Sequence, residues 1–286
     1  AILLATTPSF PLPFFLPSSF GQIFAVYHAP VSAVQPWGNV LIVPAFNEEM
    51  NRCRSMVTMQ AQALAQVGVG TLVIDLFGTG ESDGEYGDAR WGIWIEDVRQ
   101  GMNWLDQQPG GCTGLLGIRL GVALALSALK QDHNKKRVLI AWQPVIDGRS
   151  YLTQFMRMRI AANMDRTDIP KETTAGMRAQ LAEGISIEVA GYEIHPELAK
   201  FIEKQQQTEL IPPESVSIAW LEQVGAEENV ISPASEKFLA ACRATGITAQ
   251  VIPFDGPAFW ALYERFLAPD LVKKTSDWVQ LLRPEK

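Results

Sequence analysis

Leu115-Leu116-Gly117-Ile118-Arg119-Leu120-Gly121-Val122-Ala123 carries an apolar run straight into a helical pattern through a Gly-x-x-x-Gly turn. Small residues flanking position 119 permit a tight strand-to-helix reversal that bulkier ones would block. Outward from this turn, short β-branched runs alternate with longer segments of helical period. Strands are expected at Val40-Leu41-Ile42-Val43, Thr71-Leu72-Val73-Ile74, Gly114-Leu115-Leu116 and Val138-Leu139-Ile140-Ala141, and later at Val216-Ser217-Ile218-Ala219-Trp220 and Ala249-Gln250-Val251-Ile252. Helices are expected from about Cys53 to Gln66, Trp91 to Gln107, Leu120 to Lys130, Pro233 to Thr245 and Asp270 to Leu282. This order is that of βαβ units, and it predicts an α/β fold built on a mostly parallel sheet with flanking helices.

The alternation stops between Ser150 and Pro213, where helical patterns mix Met156, Met158, Met164 and Met177 with charged residues and glycines. Residues 1–149 and 214–286 therefore read as the core, and 150–213 as an inserted helical cap that ends at Pro212-Pro213. The methionines suit either gap-filling between cap and core or a pliable wall over an apolar ligand. Ala1 to Phe20 is apolar but lacks a basic region and is broken by Pro8, Pro11, Pro13 and Pro17. It reads as an irregular arm on the domain, not as a signal peptide or a membrane helix.

Lys and Arg number 24 against 31 Asp and Glu in 286 residues, a formal charge of −7, with an isoelectric point near 5.1. A phosphate-binding surface needs a basic face, so nucleic acid is excluded as the main partner. Hydrophobic residues at 47% and charged residues at 19% support a large core and exclude global disorder. Cys53, Cys112 and Cys242 form no Cys-x-x-Cys pair, which points away from a disulfide framework or a cysteine zinc site and toward a reducing compartment, the cytoplasm. No metal or cofactor is implied. The oligomeric state is not encoded in any feature of the sequence.

Asp75-Leu76-Phe77-Gly78-Thr79-Gly80-Glu81-Ser82-Asp83-Gly84 follows a buried strand. A dinucleotide fingerprint would need glycine where Asp83 stands. The loop instead resembles the D-x-x-G-x-G-x-S-x-G segment of the α/β-hydrolase superfamily, with Ser82 as a structural hydroxyl. In that superfamily the turn at Gly117 to Gly121 is the nucleophile elbow, G-x-S-x-G. Here Arg119 holds the nucleophile's place, and a guanidinium that stays protonated cannot attack a carbonyl. The base is expected after the last strand, where Pro257 stands in Phe254-Asp255-Gly256-Pro257-Ala258-Phe259-Trp260, and no histidine follows His195. The acid is expected near Glu227 and Glu228, but without an imidazole to orient it has no triad role. His28, in an expected early strand, His133 and His195 show no metal spacing; His133 and His195 read as solvated or capping residues, though His195 in the cap could face a pocket.

Four segments together closely resemble the exosortase A system-associated hydrolases of the second type. They are Pro44-Ala45-Phe46-Asn47-Glu48-Glu49-Met50-Asn51, the Arg119 turn, Asp147-Gly148-Arg149-Ser150-Tyr151-Leu152 and Gly256-Pro257-Ala258-Phe259-Trp260. The resemblance covers nearly the whole chain. It implies an α/β-hydrolase fold and a bacterial, cytoplasmic protein encoded with the machinery of exopolysaccharide production and PEP-CTERM protein sorting. The label hydrolase rests on fold in that family, and fold alone does not establish chemistry.

All four segments follow carboxyl ends of expected parallel strands, where open α/β sheets place ligands. Glu48, Glu49, Arg52, Arg54, Arg119, Asp147, Arg149 and Glu264 are thus expected to converge, with Phe46, Phe259 and Trp260 as apolar walls. Glu48, Glu49 and Arg119 are the catalytic candidates: a Glu as base to a water, the guanidinium stabilising an oxyanion. Phe46, Asn51, Arg119, Asp147, Arg149, Trp260 and Glu264 are the ligand-binding candidates. The partner these residues fit is a small-molecule or lipid-linked anion. Two readings of Arg119 stay open, a fork for an external carboxylate or phosphate and an internal partner of Glu48, Glu49 or Asp147. Two function classes stay open with them, a hydrolase or acyl-transfer enzyme with a non-standard site and a binding protein without catalysis.

Overall fold

The computed structural model describes residues 10–132, 135–224 and 230–285. Its central sheet has eight strands: β1 (Leu12–Ser18), β2 (Gly21–His28), β3 (Gly38–Val43), β4 (Val69–Ile74), β5 (Cys112–Ile118), β6 (Arg137–Trp142) and, beyond a long excursion, β9 (Val216–Gln223) and β10 (Ala249–Phe254). The order across the sheet is β1-β2-β4-β3-β5-β6-β9-β10. From β4 to β10 every neighbouring pair is parallel, while β2 runs antiparallel to both β4 and β1. This is the mostly parallel sheet expected from the apolar runs, and the fold is that of the α/β-hydrolases.

Five helices cover the sheet: α1 (Glu48–Gln66), α2 (Trp91–Asp106), α3 (Gly121–Leu129), α8 (Pro233–Ala244) and α9 (Pro269–Gln280). Helices α1 and α9 bury Cys53, Met56, Leu64, Leu271 and Val279 on one face of the sheet. Helices α2, α3 and α8 bury Trp94, Val98, Leu124, Phe238 and Leu239 on the other. Helix α3 is apolar almost all round because it is covered on nearly every side, and eight of its nine residues are buried.

Between β6 and β9 lie α4 (Gly148–Ala162), α5 (Thr174–Ala182), the short strands β7 (Ile187–Val189) and β8 (Tyr192–Ile194), α6 (Pro196–Lys204) and α7 (Gln207–Leu210). The antiparallel β7-β8 hairpin was not expected in a segment read as helical. Met156 and Met177 are buried there and fill the core, whereas Met158 and Met164 are exposed.

The amino-terminal arm departs from expectation as well. Leu12 to Ser18 is a regular edge strand, paired from Leu12 opposite Tyr27 to Ser18 opposite Gly21. Proline removes a ladder donor only where its nitrogen faces a neighbouring strand, so Pro13 and Pro17 are tolerated on an edge. Helix α1 also starts five residues before the expected Cys53, since its first turn is charged and carries no apolar period.

Candidate functional site

The site begins at the reversal between β5 and α3. Arg119 has φ of 56°, a left-handed conformation that side chains rarely adopt. Its N–H donates to Trp142 O at 3.0 Å, and its own carbonyl accepts from Val122 and Val145 at 3.1 and 3.2 Å. A Cβ on Gly121 would lie 2.3 Å from Pro44 O, and one on Gly117 2.7 Å from Val122 Cα. Both glycines are therefore required by close backbone approach.

The Arg119 side chain is turned onto the protein. Nε lies 3.3 Å from each carboxylate oxygen of Glu49, Nη2 lies 3.3 Å from Oε1, and Nη1 donates to Gln143 O at 3.2 Å. The guanidinium carbon sits 5.5 Å over the Trp260 ring. Arg119 and Glu49 are 16% and 19% exposed, so the pair is largely withdrawn from water. Burial pushes the Glu49 carboxyl above its ordinary range, and Arg119 opposes that shift.

Glu48 goes elsewhere. Its carboxylate accepts from Tyr192 Oη at 2.8 Å and Asn51 Nδ2 at 3.2 Å. Burial, with Glu48 as the next contributor, pushes the Tyr192 phenol up to about 12. Arg54 donates to Asp75 at 3.4 Å, and Arg52 donates to Ala261 O at 3.2 Å while lying over the Tyr263 ring. Asp147 is the N-cap of α4, accepting from Ser150 N at 2.9 Å, and both Asp147 and Arg149 are exposed. Glu264 is exposed on the loop before α9.

The expected convergence of eight charges is thus only partial: Arg52 joins Arg119 in drawing the Glu49 carboxyl down against the push of burial, whereas Asp147, Arg149 and Glu264 stand exposed. The apolar walls separate too. Phe46 packs with Trp94, Tyr86 and Tyr151 on one face of the sheet, whereas Phe259 and Trp260 pack near Trp142 on the other. Strand ends share an edge of the sheet, but side chains leave that edge toward either face, and the sequence pattern could not tell which.

Ser82 is structural: its hydroxyl donates to Asp75 O at 2.6 Å and accepts from Phe24 N at 2.8 Å. His28 ends β2 beside an apolar cavity of about 290 Å³. His195 caps α6, with Nδ1 accepting from Glu197 N at 3.2 Å. His133, Glu227 and Glu228 lie outside the described residues.

Sequence reasoning missed the residues that bind these loops together. Gln143, with φ of 42°, supplies the carbonyl under Arg119, and its Oε1 accepts from Gln223 N at 2.7 Å. Asn47, with φ of 56°, precedes α1 and accepts from the Tyr86 hydroxyl. The only signal for Asn47 was its type, since asparagine enters left-handed backbone more readily than most residues. It lines a cavity of about 460 Å³ with Phe46, Asn51, Tyr86 and Tyr192, apart from Arg119.

A family model for serine aminopeptidase, S33, matches residues 34–253. The chain belongs to the serine aminopeptidase S33 family. Solved structures resemble this S33 chain along almost its whole length. Est1E from Butyrivibrio proteoclasticus, with bound ferulic acid, superposes with a TM-score of 0.65 at 12% identity, over 94% of this chain and 98% of that one. A thermostable carboxyl esterase from Bacillus coagulans, in complex with glycerol, gives 0.59 at 15% identity, over 96% and 97%. An α/β serine hydrolase without lid from Xanthomonas campestris gives 0.56 at 16% identity, over 98% of each chain. At such identities these likenesses concern the fold alone. Among curated proteins, an uncharacterized 31.7 kDa protein of the traX-finO intergenic region of Escherichia coli is 34% identical over 82 residues. That match spans 28% of the S33 chain and 29% of the relative. Among the described residues, no helix is long and apolar enough to cross a membrane.

Proposed function

We propose that this S33 chain is an exosortase-associated hydrolase-fold protein of the second type, and that it uses its scaffold for recognition instead of serine chemistry. Its setting in this reading is the cytoplasmic side of exopolysaccharide production and PEP-CTERM sorting. The observation that carries the reading is the Arg119–Glu49 pair at the turn where a nucleophile would stand. A permanently charged guanidinium cannot be acylated, and one whose donors go to Glu49 and Gln143 O has little left for an external oxyanion. The same commitment removes support from Arg119 as the fork for an anionic precursor. In this reading residues 150–213 act as a cap over the strand ends, supported by Tyr192 on Glu48 and by the 3.2 Å contact of Arg90 with Glu197.

A second reading keeps an enzyme. Glu49, with its carboxyl pushed upward by burial, is suited to take a proton from water in a hydrolysis or acyl transfer that needs no serine. Two measurements separate the readings: labelling of the purified protein with a fluorophosphonate probe, and turnover of p-nitrophenyl butyrate by wild type and Glu49→Gln. No serine labelling and no Glu49-dependent turnover is the result expected for recognition. Stoichiometric labelling of any serine, Ser82 included, overturns the absence of serine chemistry. Turnover lost in a folded Glu49→Gln variant establishes the second reading instead.

A further inference from the structure

The cavity beside Asn47 is distinct from the Arg119 pair and is built differently. It holds about 460 Å³ between the loop after β3, the glycine loop after β4, the 3₁₀ turn Tyr86–Asp88 and the tip of the β7-β8 hairpin. Among the described residues that line it there is no Lys or Arg, and Glu85 is the one charged member. Arg54, which approaches Asn51 and Gly80, donates to Asp75. An anion would find no cation on these walls. The lining instead carries the amides and hydroxyls of Asn47, Asn51, Thr79 and Tyr192 against aromatic surface; Thr79 donates to Leu76 O and Tyr192 to Glu48, which leaves their oxygens as acceptors for a ligand hydroxyl.

Asn47 is the second, independent observation. It is 7% exposed, and its Oδ1 is taken by the Tyr86 hydroxyl while its Nδ2 has no hydrogen-bond partner among the described residues. Buried amide donors are almost always paired, so an unpaired one in a residue that lines a cavity leaves a donor for an acceptor from outside the chain. Its left-handed backbone adds to the case, because such strain persists where the surroundings impose it and gathers at ligand clamps.

We infer that this cavity binds a neutral hydroxylated ligand of saccharide type, with Asn47 Nδ2 donating to a ligand oxygen. The inference deepens the recognition reading above and rests on it for its role, naming the class of molecule recognised and placing it away from Arg119. Hydroxyl-rich ligands pair with amides and phenols without needing a cation, and their C–H faces pack on aromatic rings.

Saturation-transfer NMR with glucose and N-acetylglucosamine, beside phosphorus NMR of inorganic phosphate, tests it on the full chain. Transfer to at least one sugar and no broadening of phosphate is expected. Asn47→Asp keeps the shape and the acceptor for Tyr86 but replaces the donor, and it is expected to weaken sugar binding about tenfold or more. Thr79→Trp, at a half-buried loop position, fills the cavity and is expected to abolish transfer even if the Asn47 variant folds poorly. Binding of phosphate alone, no transfer to either sugar, or equal sugar binding in wild type and in the folded variants overturns the inference. Serine labelling with sugar binding intact would overturn the recognition reading and spare the cavity; unlabelled serines without sugar binding would do the reverse.

Discussion

Asp97 of α2 ties Ser18 at the end of β1 to the loop after β4: its Oδ1 accepts from the Ser18 hydroxyl, and its Oδ2 accepts from Phe77 N–H at 2.8 Å. The carboxyl is fully buried at this junction, and burial pushes its pKa from 3.8 to about 6. An acid raised in the folded state holds its proton more tightly there than in the unfolded chain. Its favourable contribution is complete below pH 3.8 and is lost as pH rises through about 6. Asp97→Asn accepts from Phe77 and pairs with Ser18 without the charge. It is expected to flatten the pH dependence of urea unfolding between pH 4 and 6. At pH 8 it is expected to gain on the order of 1–3 kcal/mol, and an unchanged slope would refute the assignment.

The Arg119–Glu49 pair predicts a pattern in a double-mutant cycle. Arg119→Met leaves a largely withdrawn carboxylate without its cation and is expected to cost about 2–4 kcal/mol. Glu49→Gln strands the guanidinium and costs a similar amount. The double variant is expected to recover at least about 1 kcal/mol relative to additivity, measured by denaturant unfolding. Additive losses would mean that the two groups do not act as a pair.

Arg119→Ser restores a hydroxyl at the reversal without supplying a base, since Pro257 follows β10 where a histidine is expected. Hydrolysis of p-nitrophenyl butyrate above the wild-type level is not expected at any pH between 6 and 9. The appearance of burst kinetics in this variant would reveal a base that the expected triad order does not include.

Gly121→Ala tests the geometry of the turn. The added Cβ meets Pro44 O at 2.3 Å and Val43 O at 2.5 Å, backbone atoms where β3 ends and its following loop begins. A loss of about 3 kcal/mol or more, or failure to accumulate soluble protein, is expected. Gly92→Ala, with open space around the added atom, is the matched control and is expected to change stability little.

The parallel part of the sheet and its helices were legible because β3 to β6 and β9 are largely buried and read as apolar runs, whereas the edge strand β1 was not. The β7-β8 hairpin was not legible. Its turn places Ala190 and Gly191 at φ of 52° and 85°, yet Val189-Ala190-Gly191-Tyr192 lacks the Asn-Gly or Asp-Gly that usually announces such a turn. Around the site, an internal pairing of Arg119 with Glu48, Glu49 or Asp147 was among the readings the residues allowed, and Glu49, in the first turn of α1, is the partner. The separation of Phe46 from Trp260 was hidden, because alternation along strands does not say how loop residues leave the strand ends. Tyr192 reaching Glu48 across 144 positions has no local signature at all.

The prolines of β1 bear on how molecules meet. Pro13, Phe15 and Pro17 share one side of an edge strand whose other side is occupied by β2, and two of these three positions carry no N–H. Phe10, Leu12 and Phe15 leave this border greasy, which in a flat strand would invite a neighbouring chain to add itself to the ladder. With most of its outward donors missing, the border can attract another molecule through side chains but cannot extend the sheet into it. Crowded copies would touch there and part again, without growing into a shared β-structure.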